Sequence, residues 1–325
     1  MNKPTYTIGI PVYERLLGFE EALQSALNVE GCTNILIVDD NSSHNQFEMI
    51  GKSYNDDRIS YIRNSENIGL FGNWNKCIEV ADTDYVSVLC SDDLIEQNAF
   101  KLFLNAYNQN SNIDVFFGSF TIFSNTKDDA IVQHIFKNGA TDGLDLINDV
   151  IDNGPCFPVL SIMKRSTMLK YPFVAKPHSG NDWLWIYSNA SYLSLYATNQ
   201  TINYWRRHPN QDAAVSQSIT MDCWPLMYKL MAEQIKVRSS YSSNKAMRRA
   251  KGVILTWLLN GFYTDKVWQK RLLNGKREQN IFIDTILDIT HKDILLSSLL
   301  NDKNSNLLLY NIGRIVRKIG YYPAS

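Results

Sequence analysis

Between residues 6 and 108, short runs of strand-forming residues alternate with segments of helical spacing. A chain with that alternation buries its apolar residues by packing helices onto a largely parallel sheet. The strand-like runs are Tyr6 to Tyr13, Asn34 to Asp39, Ile59 to Arg63 and Tyr85 to Leu89. Several are continuously apolar rather than alternating, as expected of parallel strands buried on both faces. Helical spacing falls over 17–27, 47–54, 73–81 and 99–108, so right-handed crossovers connect the strands. Pro11 has no N–H to give a ladder, which suits the end of the first strand rather than its middle.

Two of these strands end in paired acids, Asp39-Asp40 and Asp92-Asp93. Parallel strands end at one edge of a sheet, and ligands of open α/β sheets bind at that edge. Adjacent carboxylates repel unless something positive lies beside them, and a divalent cation carrying phosphates is one solution. The competing reading is a helix cap, because Asp favours that position and Leu94-Ile95-Glu96 could open a helix.

Farther along, residues 115–123 form a long aromatic run that reads as one strand, and 131–136 pairs back as a hairpin. Short helices are expected over 143–151 and 165–169, with a strand at 159–163. The segment from Pro177 to Trp183 opens a helix reaching about Ala190, with Trp183 and Trp185 on different sides of it. Strands follow at 194–197 and 201–207. Beyond Asp212 the pattern becomes helical throughout, over 219–238, 244–262, 265–275, 280–300 and 305–319.

Composition narrows the class. An apolar fraction of 45% and a charged fraction of 20% belong to an ordinary globular protein. The five cysteines are scattered without zinc or redox spacing, which fits a reducing, cytoplasmic setting. Met1 to Pro4 lead directly into the first strand, so no leader is expected, and no apolar run approaches the roughly 20 residues of a membrane span. Residues 1–220 carry 15 Lys and Arg against 25 Asp and Glu, whereas residues 221–325 carry 17 against 8. The basic stretch 307–322 has the amphipathic pattern of a helix on an anionic membrane face, or of a helix packed on the body with its charges solvated. No nucleic-acid reading motif accompanies these charges.

Four elements together resemble family 2 glycosyltransferases: Ile10-Pro-Val-Tyr-Glu14-Arg15, Val38-Asp-Asp-Asn-Ser-Ser43, Arg63-Asn-Ser-Glu-Asn-Ile-Gly69 with Asn73, and Leu89-Cys-Ser-Asp-Asp93. The resemblance is specific over residues 5–123, looser to about 212, and absent beyond. It implies a GT-A fold, an α/β architecture with a mostly parallel Rossmann-like sheet flanked by helices and here a C-terminal helical extension. A glycosyltransferase domain over 1–215 would comprise a nucleotide-sugar half (1–123) and an acceptor half (124–215), followed by the basic helical region 216–325.

The same resemblance assigns roles. Pro11, Tyr13 and Glu14 would line the base and ribose pocket, with Asp40 accepting a hydrogen bond from the base. Asn67 and Asn73 would contact the nucleotide from the other side, and Ser91 and Asp92 would complete its site. Asp92 and Asp93 match the metal motif, with His208 as a further ligand, for Mn2+ or Mg2+; Arg206 or Arg207 could meet phosphate charge instead. Asp182 corresponds to the base that deprotonates the acceptor hydroxyl. Glu14 stands where the family usually has Asn, Cys90 replaces the first acid of the usual Asp-x-Asp, and Asn181 replaces the acidic neighbour of Asp182.

The implied activity is inverting transfer of a sugar from a nucleoside diphosphate sugar to a hydroxyl of a surface glycan, lipid-linked or not. The expected location is cytoplasmic, with peripheral contact at the inner face of the plasma membrane through the basic region. The rivals are a nucleotidyltransferase and a non-catalytic sugar-nucleotide-binding partner of an assembly complex. The first normally has a glycine-rich phosphate loop near the first strand, and Pro11-Val12-Tyr13-Glu14 is not one.

Overall fold

The computed structural model describes residues 3–143, 145–146, 161–174 and 181–208. These fall in two compact units. One holds 3–146, 161–174 and 192–208, and the other contains 181–191.

In the first unit the expected alternation is present. Strands β1 (Tyr6–Val12), β2 (Asn34–Asp39), β3 (Ile59–Arg63) and β4 (Tyr85–Val88) alternate with helices α1 (Phe19–Leu27), α2 (Gln46–Ser53) and α3 (Leu70–Val80). All four strands are parallel, in the order β3-β2-β1-β4. Pro11 lies inside β1, opposite Val38 of β2, but past Gly9, the last residue of β1 paired with β4. Its missing donor therefore costs no ladder bond on the β4 side.

The chain then forms β5 (Leu94–Ile95), α4 (Ala99–Gln109), β6 (Val115–Phe117), β7 (Phe120–Phe123), β8 (Ile131–His134), β9 (Gly139–Thr141), β10 (Ile162–Lys164) and α5 (Arg165–Lys170). Helix α6 (Asn181–Asn189) belongs to the second unit, and β11 (Leu195–Ala197) and β12 (Asn203–Arg206) return to the first. The large sheet runs β3-β2-β1-β4-β10-β6-β11-β9, with β10 antiparallel to both neighbours, and a small sheet runs β5-β12-β7-β8.

The single aromatic strand expected over 115–123 is two strands in different sheets. β6 pairs with β10 and β11, whereas β7 pairs with β12 and β8. The chain changes sheets at Gly118, where a Cβ would lie 2.5 Å from the Gln200 carbonyl oxygen. Backbone approaches that close are open only to glycine. The hairpin at 131–136 is present as β8 antiparallel to β7.

Amphipathic spacing sets the helix faces. Phe19, Ala22, Leu23 and Ala26 of α1 are buried at i, i+3, i+4 and i+7, and Ala99, Phe100, Phe103 and Ala106 of α4 at i, i+1, i+4 and i+7. Phe100 stacks on Tyr6 with ring centroids 4.6 Å apart, joining α4 to β1. Burying an aromatic side chain contributes roughly 1.5–3 kcal/mol. This core fixes the strand ends from which the candidate site is built.

The 215/216 boundary, the basic region beyond it and most of the helix expected over 143–151 lie outside the described residues. Among the described residues no helix is long and apolar enough to cross a membrane.

Candidate functional site

Asp39-Asp40 and Asp92-Asp93 both follow strands of the parallel set and emerge at its C-terminal edge, with β1 between them. Neither acid of the second pair caps a helix. Residues Leu94–Ile95 form β5 instead, paired antiparallel with β12. The helix-cap alternative is thereby removed.

Pairing with β12 brings together groups more than 110 residues apart. His208 Nε2 lies 2.9 Å from Asp92 Oδ2, and both side chains are largely buried. Asp93, the other expected metal ligand, is turned toward the backbone of β12. Its Oδ1 accepts the backbone N–H of Arg206 at 2.8 Å, and the residue is 2% exposed. Burial first, and then the charge of Asp92, push the Asp93 carboxyl well above the usual carboxylate range. Among the described residues, no group of three His, Cys, Asp or Glu is arranged to hold a metal. The donor set at this point is one carboxylate oxygen and one imidazole nitrogen.

Arg206 is likewise not a phosphate-facing cation. Its guanidinium donates from Nε to the Asp92 carbonyl at 2.7 Å and from Nη1 to the Asn125 carbonyl at 3.2 Å, and it pairs through Nη2 with Glu21. Arg207 is exposed, with its guanidinium 5.0 Å from the Trp205 ring centroid.

At the other strand end the acids are turned inward. Asp39 Oδ1 accepts from the N–H and hydroxyl of Ser42, at 2.9 and 2.6 Å, and its Oδ2 accepts from the Tyr61 hydroxyl at 2.6 Å. Burial and that bond raise the Tyr61 hydroxyl to about 12. Asp40 accepts from Asn64 Nδ2, the Ile68 N–H and the Gly69 N–H, each at 2.9 Å, and is 3% exposed. The expected base acceptor therefore fastens the 64–69 loop to the sheet edge. Asn73 is also internal: its Nδ2 donates to the Val38 carbonyl at 2.9 Å, and its Oδ1 accepts from Asn64 at 3.0 Å. A side chain 3% exposed with both ends engaged has no face for a nucleotide.

Pro11 is buried in β1. Tyr13, just past the end of β1, is 50% exposed. Glu14 adopts a left-handed backbone, φ 53°, and its carboxylate accepts the N–H and hydroxyl of Ser43 at 2.7 and 2.8 Å. The Ser43 hydroxyl, then its N–H, hold the Glu14 carboxyl below its ordinary range. Asn67 is exposed, its Oδ1 accepting the Gly69 N–H at 3.1 Å, and Ser91 is half-buried. Of the expected residues of the first unit, Tyr13, Glu14 and Asn67 are exposed, Ser91 is half-buried, and the Asp92 and His208 side chains are largely buried.

Asp182 lies in the first turn of α6 and is 9% exposed. A helix N-terminus favours the ionised carboxylate. Trp185, on the same helix, is buried.

Reading the sequence missed Asn64 and Tyr61 as partners of these acids, and Glu21 as the partner of Arg206. Asn64 stands inside a matched motif, so that signal was present. Glu21 is one of several acids on an amphipathic helix, and nothing local marks it.

Comparison with known proteins bears on this arrangement. The description "Glycosyl transferase family 2" matches residues 7–168. An uncharacterized protein of Mycobacterium tuberculosis is 33% identical over 101 residues, covering 30% of this chain and 31% of that protein. An uncharacterized glycosyltransferase of Methanocaldococcus jannaschii is 28% identical over 123 residues, covering 36% of this chain and 42% of that protein. The chain thus matches less than half the length of either relative. Crystal structures of S. aureus TarS 1–349 share the fold. The UDP-GlcNAc complex gives a TM-score of 0.66 at 17% identity, covering 98% of this chain and 93% of that one. A second TarS 1–349 structure gives 0.62 at 16% identity, covering 98% and 92%. Through residues 7–168 the chain belongs to glycosyl transferase family 2, on a GT-A fold.

Proposed function

We propose that this protein is a metal-dependent, inverting glycosyltransferase that moves a sugar from a nucleoside diphosphate sugar to a hydroxyl of a surface glycan, with a lipid-linked glycan as the preferred acceptor. The observation that carries the reading is the Asp92–His208 pair at the C-terminal edge of the parallel sheet, within the family 2 match. The S. aureus TarS complexes with UDP and UDP-GlcNAc support a nucleotide-sugar donor and make UDP-GlcNAc the first to test.

A carboxylate oxygen suits Mn2+ or Mg2+, and an imidazole nitrogen suits first-row transition ions, so Asp92 and His208 would hold the ion, with Mn2+ the better match. When bound, the ion supplies charge neutralisation for the departing diphosphate. The donor pocket is formed by Tyr13, Asn67 and Ser91 beside Pro11, with Glu14 and Asp40 holding its loops. In the reaction, the bond between the anomeric carbon and the diphosphate oxygen breaks as the acceptor oxygen bonds to that carbon from the opposite side. The acceptor's proton passes to the Asp182 carboxylate, and the configuration inverts. Such a base needs an ionised carboxylate, which the start of α6 favours. A lipid-linked acceptor is supported by the basic balance of residues 221–325, 17 Lys and Arg against 8 Asp and Glu, which suits an anionic bilayer face.

A panel of nucleoside diphosphate sugars with Mn2+, read by released diphosphate, tests this. Turnover is expected with at least one donor and is lost in Asp92→Ala and Asp182→Ala. Full activity in either variant would sink the assignment.

A further inference from the structure

Arg206 is a buried cation in contact with both acids of the motif. Its N–H donates to Asp93 Oδ1 at 2.8 Å and its Nε to the Asp92 carbonyl at 2.7 Å, while its Nη2 pairs with Glu21. The guanidinium also lies 4.4 Å from the Phe123 ring centroid. The β5–β12 register pairs Tyr204 with Leu94 and Asn203 with Ile95. Carried two residues on, it places Arg206 opposite Asp92. His208, which meets the Asp92 carboxylate, is two residues farther along the same segment. Helix α1 closes the arrangement: Gly18, at φ 83°, sits so near that a Cβ there would lie 2.8 Å from Asp92 Cα. Glu21 follows one turn later.

We propose that the Glu21–Arg206 pair is a positioning device for the Asp92–His208 cation site. Arg206 fixes the backbone of Asp92 and the start of the segment carrying His208, and Glu21 fixes the guanidinium. The inference rests on the reading of Asp92 and His208 as cation ligands. The physical reason is that a carboxylate and an imidazole on separate segments make a useful pair only when both backbones are immobilised. Groups that orient a ligand from behind typically affect metal affinity or activity about 10–100-fold. Lysine cannot reproduce the fork, because it offers one charged point in place of a planar set of donors.

The test is calorimetric titration of Mn2+ in the presence of UDP, on the full chain, for Glu21→Ala, Arg206→Lys and Asp92→Ala. Thermal melts are run in parallel. Glu21 is 59% exposed at its side chain, so Glu21→Ala carries the test even if Arg206→Lys does not fold. The expected result is a Mn2+ midpoint weakened about 10-fold or more in Glu21→Ala, with an unchanged melt. In turnover the apparent KM for Mn2+ rises while kcat at saturating Mn2+ is largely kept. A purely structural pair would lower the melt and leave the Mn2+ midpoint in place. Midpoints within twofold of the parent in folded Glu21→Ala, with Asp92→Ala abolishing binding, overturn the positioning role alone. Unaltered Mn2+ binding in Asp92→Ala overturns the cation-site reading and the inference with it.

Discussion

Replacing Asp40 by alanine separates loop anchoring from ligand binding. Its carboxylate accepts three hydrogen bonds, from Asn64 Nδ2, the Ile68 N–H and the Gly69 N–H, each at 2.9 Å, at a residue 3% exposed. Hydrogen bonds to a charged group contribute roughly 1.5–3 kcal/mol each, so an undiscounted loss would approach 5–9 kcal/mol. Two corrections lower it. Ile68 and Gly69 are exposed, so water takes over their N–H groups after the carboxylate is gone. Asn64 keeps its 3.0 Å bond to Asn73 Oδ1. The expected destabilisation is then about 2–4 kcal/mol. Asp40→Asn should recover only part of it, because an amide facing three donors presents one of its own to them. Urea unfolding gives the free energies, and amide exchange at Ile68 and Gly69 should accelerate in both variants. A stability loss below about 0.5 kcal/mol, the range of inert surface changes, with unaltered exchange and lost UDP binding, would refute the argument. Asp40 would then serve the nucleotide rather than the loop.

Gly118→Ala should cost about 1–3 kcal/mol or prevent folding, since its Cβ meets the Gln200 oxygen at 2.5 Å and the Ile202 nitrogen at 3.0 Å, both backbone atoms; a parental melting temperature would argue against the close approach. Asp93→Asn should keep Mn2+ binding, because an amide oxygen can still accept the Arg206 N–H; loss of Mn2+ in a folded Asp93→Asn would restore Asp93 as a ligand. Glu14 has a depressed carboxyl, chiefly through the Ser43 hydroxyl. A depressed carboxyl adds stability above its unfolded value, about 4.3, and that contribution is lost as pH falls through the lower folded value. Urea midpoints measured from pH 7 to 3 should therefore fall more steeply below about pH 4.3 in the parent than in Glu14→Gln, and parallel curves would count against the Ser43 bonds.

The local pattern of the first hundred residues was sufficient for four parallel strands and their helices. Strand β3 occupies Ile59–Arg63 as expected, and α1, α2 and α4 begin or end within two residues of the periodic segments. Hydrophobic periodicity is a property of neighbours along the chain, so it is readable without the fold. It also brought both acid pairs to one sheet edge, because parallel strands share a direction. The same local logic failed over residues 115–123, where continuous aromatic character hides a change of sheet at Gly118. The reason for that break is the backbone of Gln200 and Ile202, more than 80 residues away.

Which of the marked residues face outward was decided only by tertiary structure. Asp40, Asn73, Asp93 and Arg206 all have the right chemistry in the right motif or beside it, and all are spent on internal partners. A sequence motif fixes a carboxylate's place on a strand, whereas its availability depends on which donors the folded chain delivers to it. For Asp40 and Asp93 those donors come from 24 to 113 residues away. The pairing of Asp92 with His208 has the same origin, in β12 lying beside β5. Alternation and the order of the motifs were therefore set by local sequence, and the use of each acid by long-range pairing.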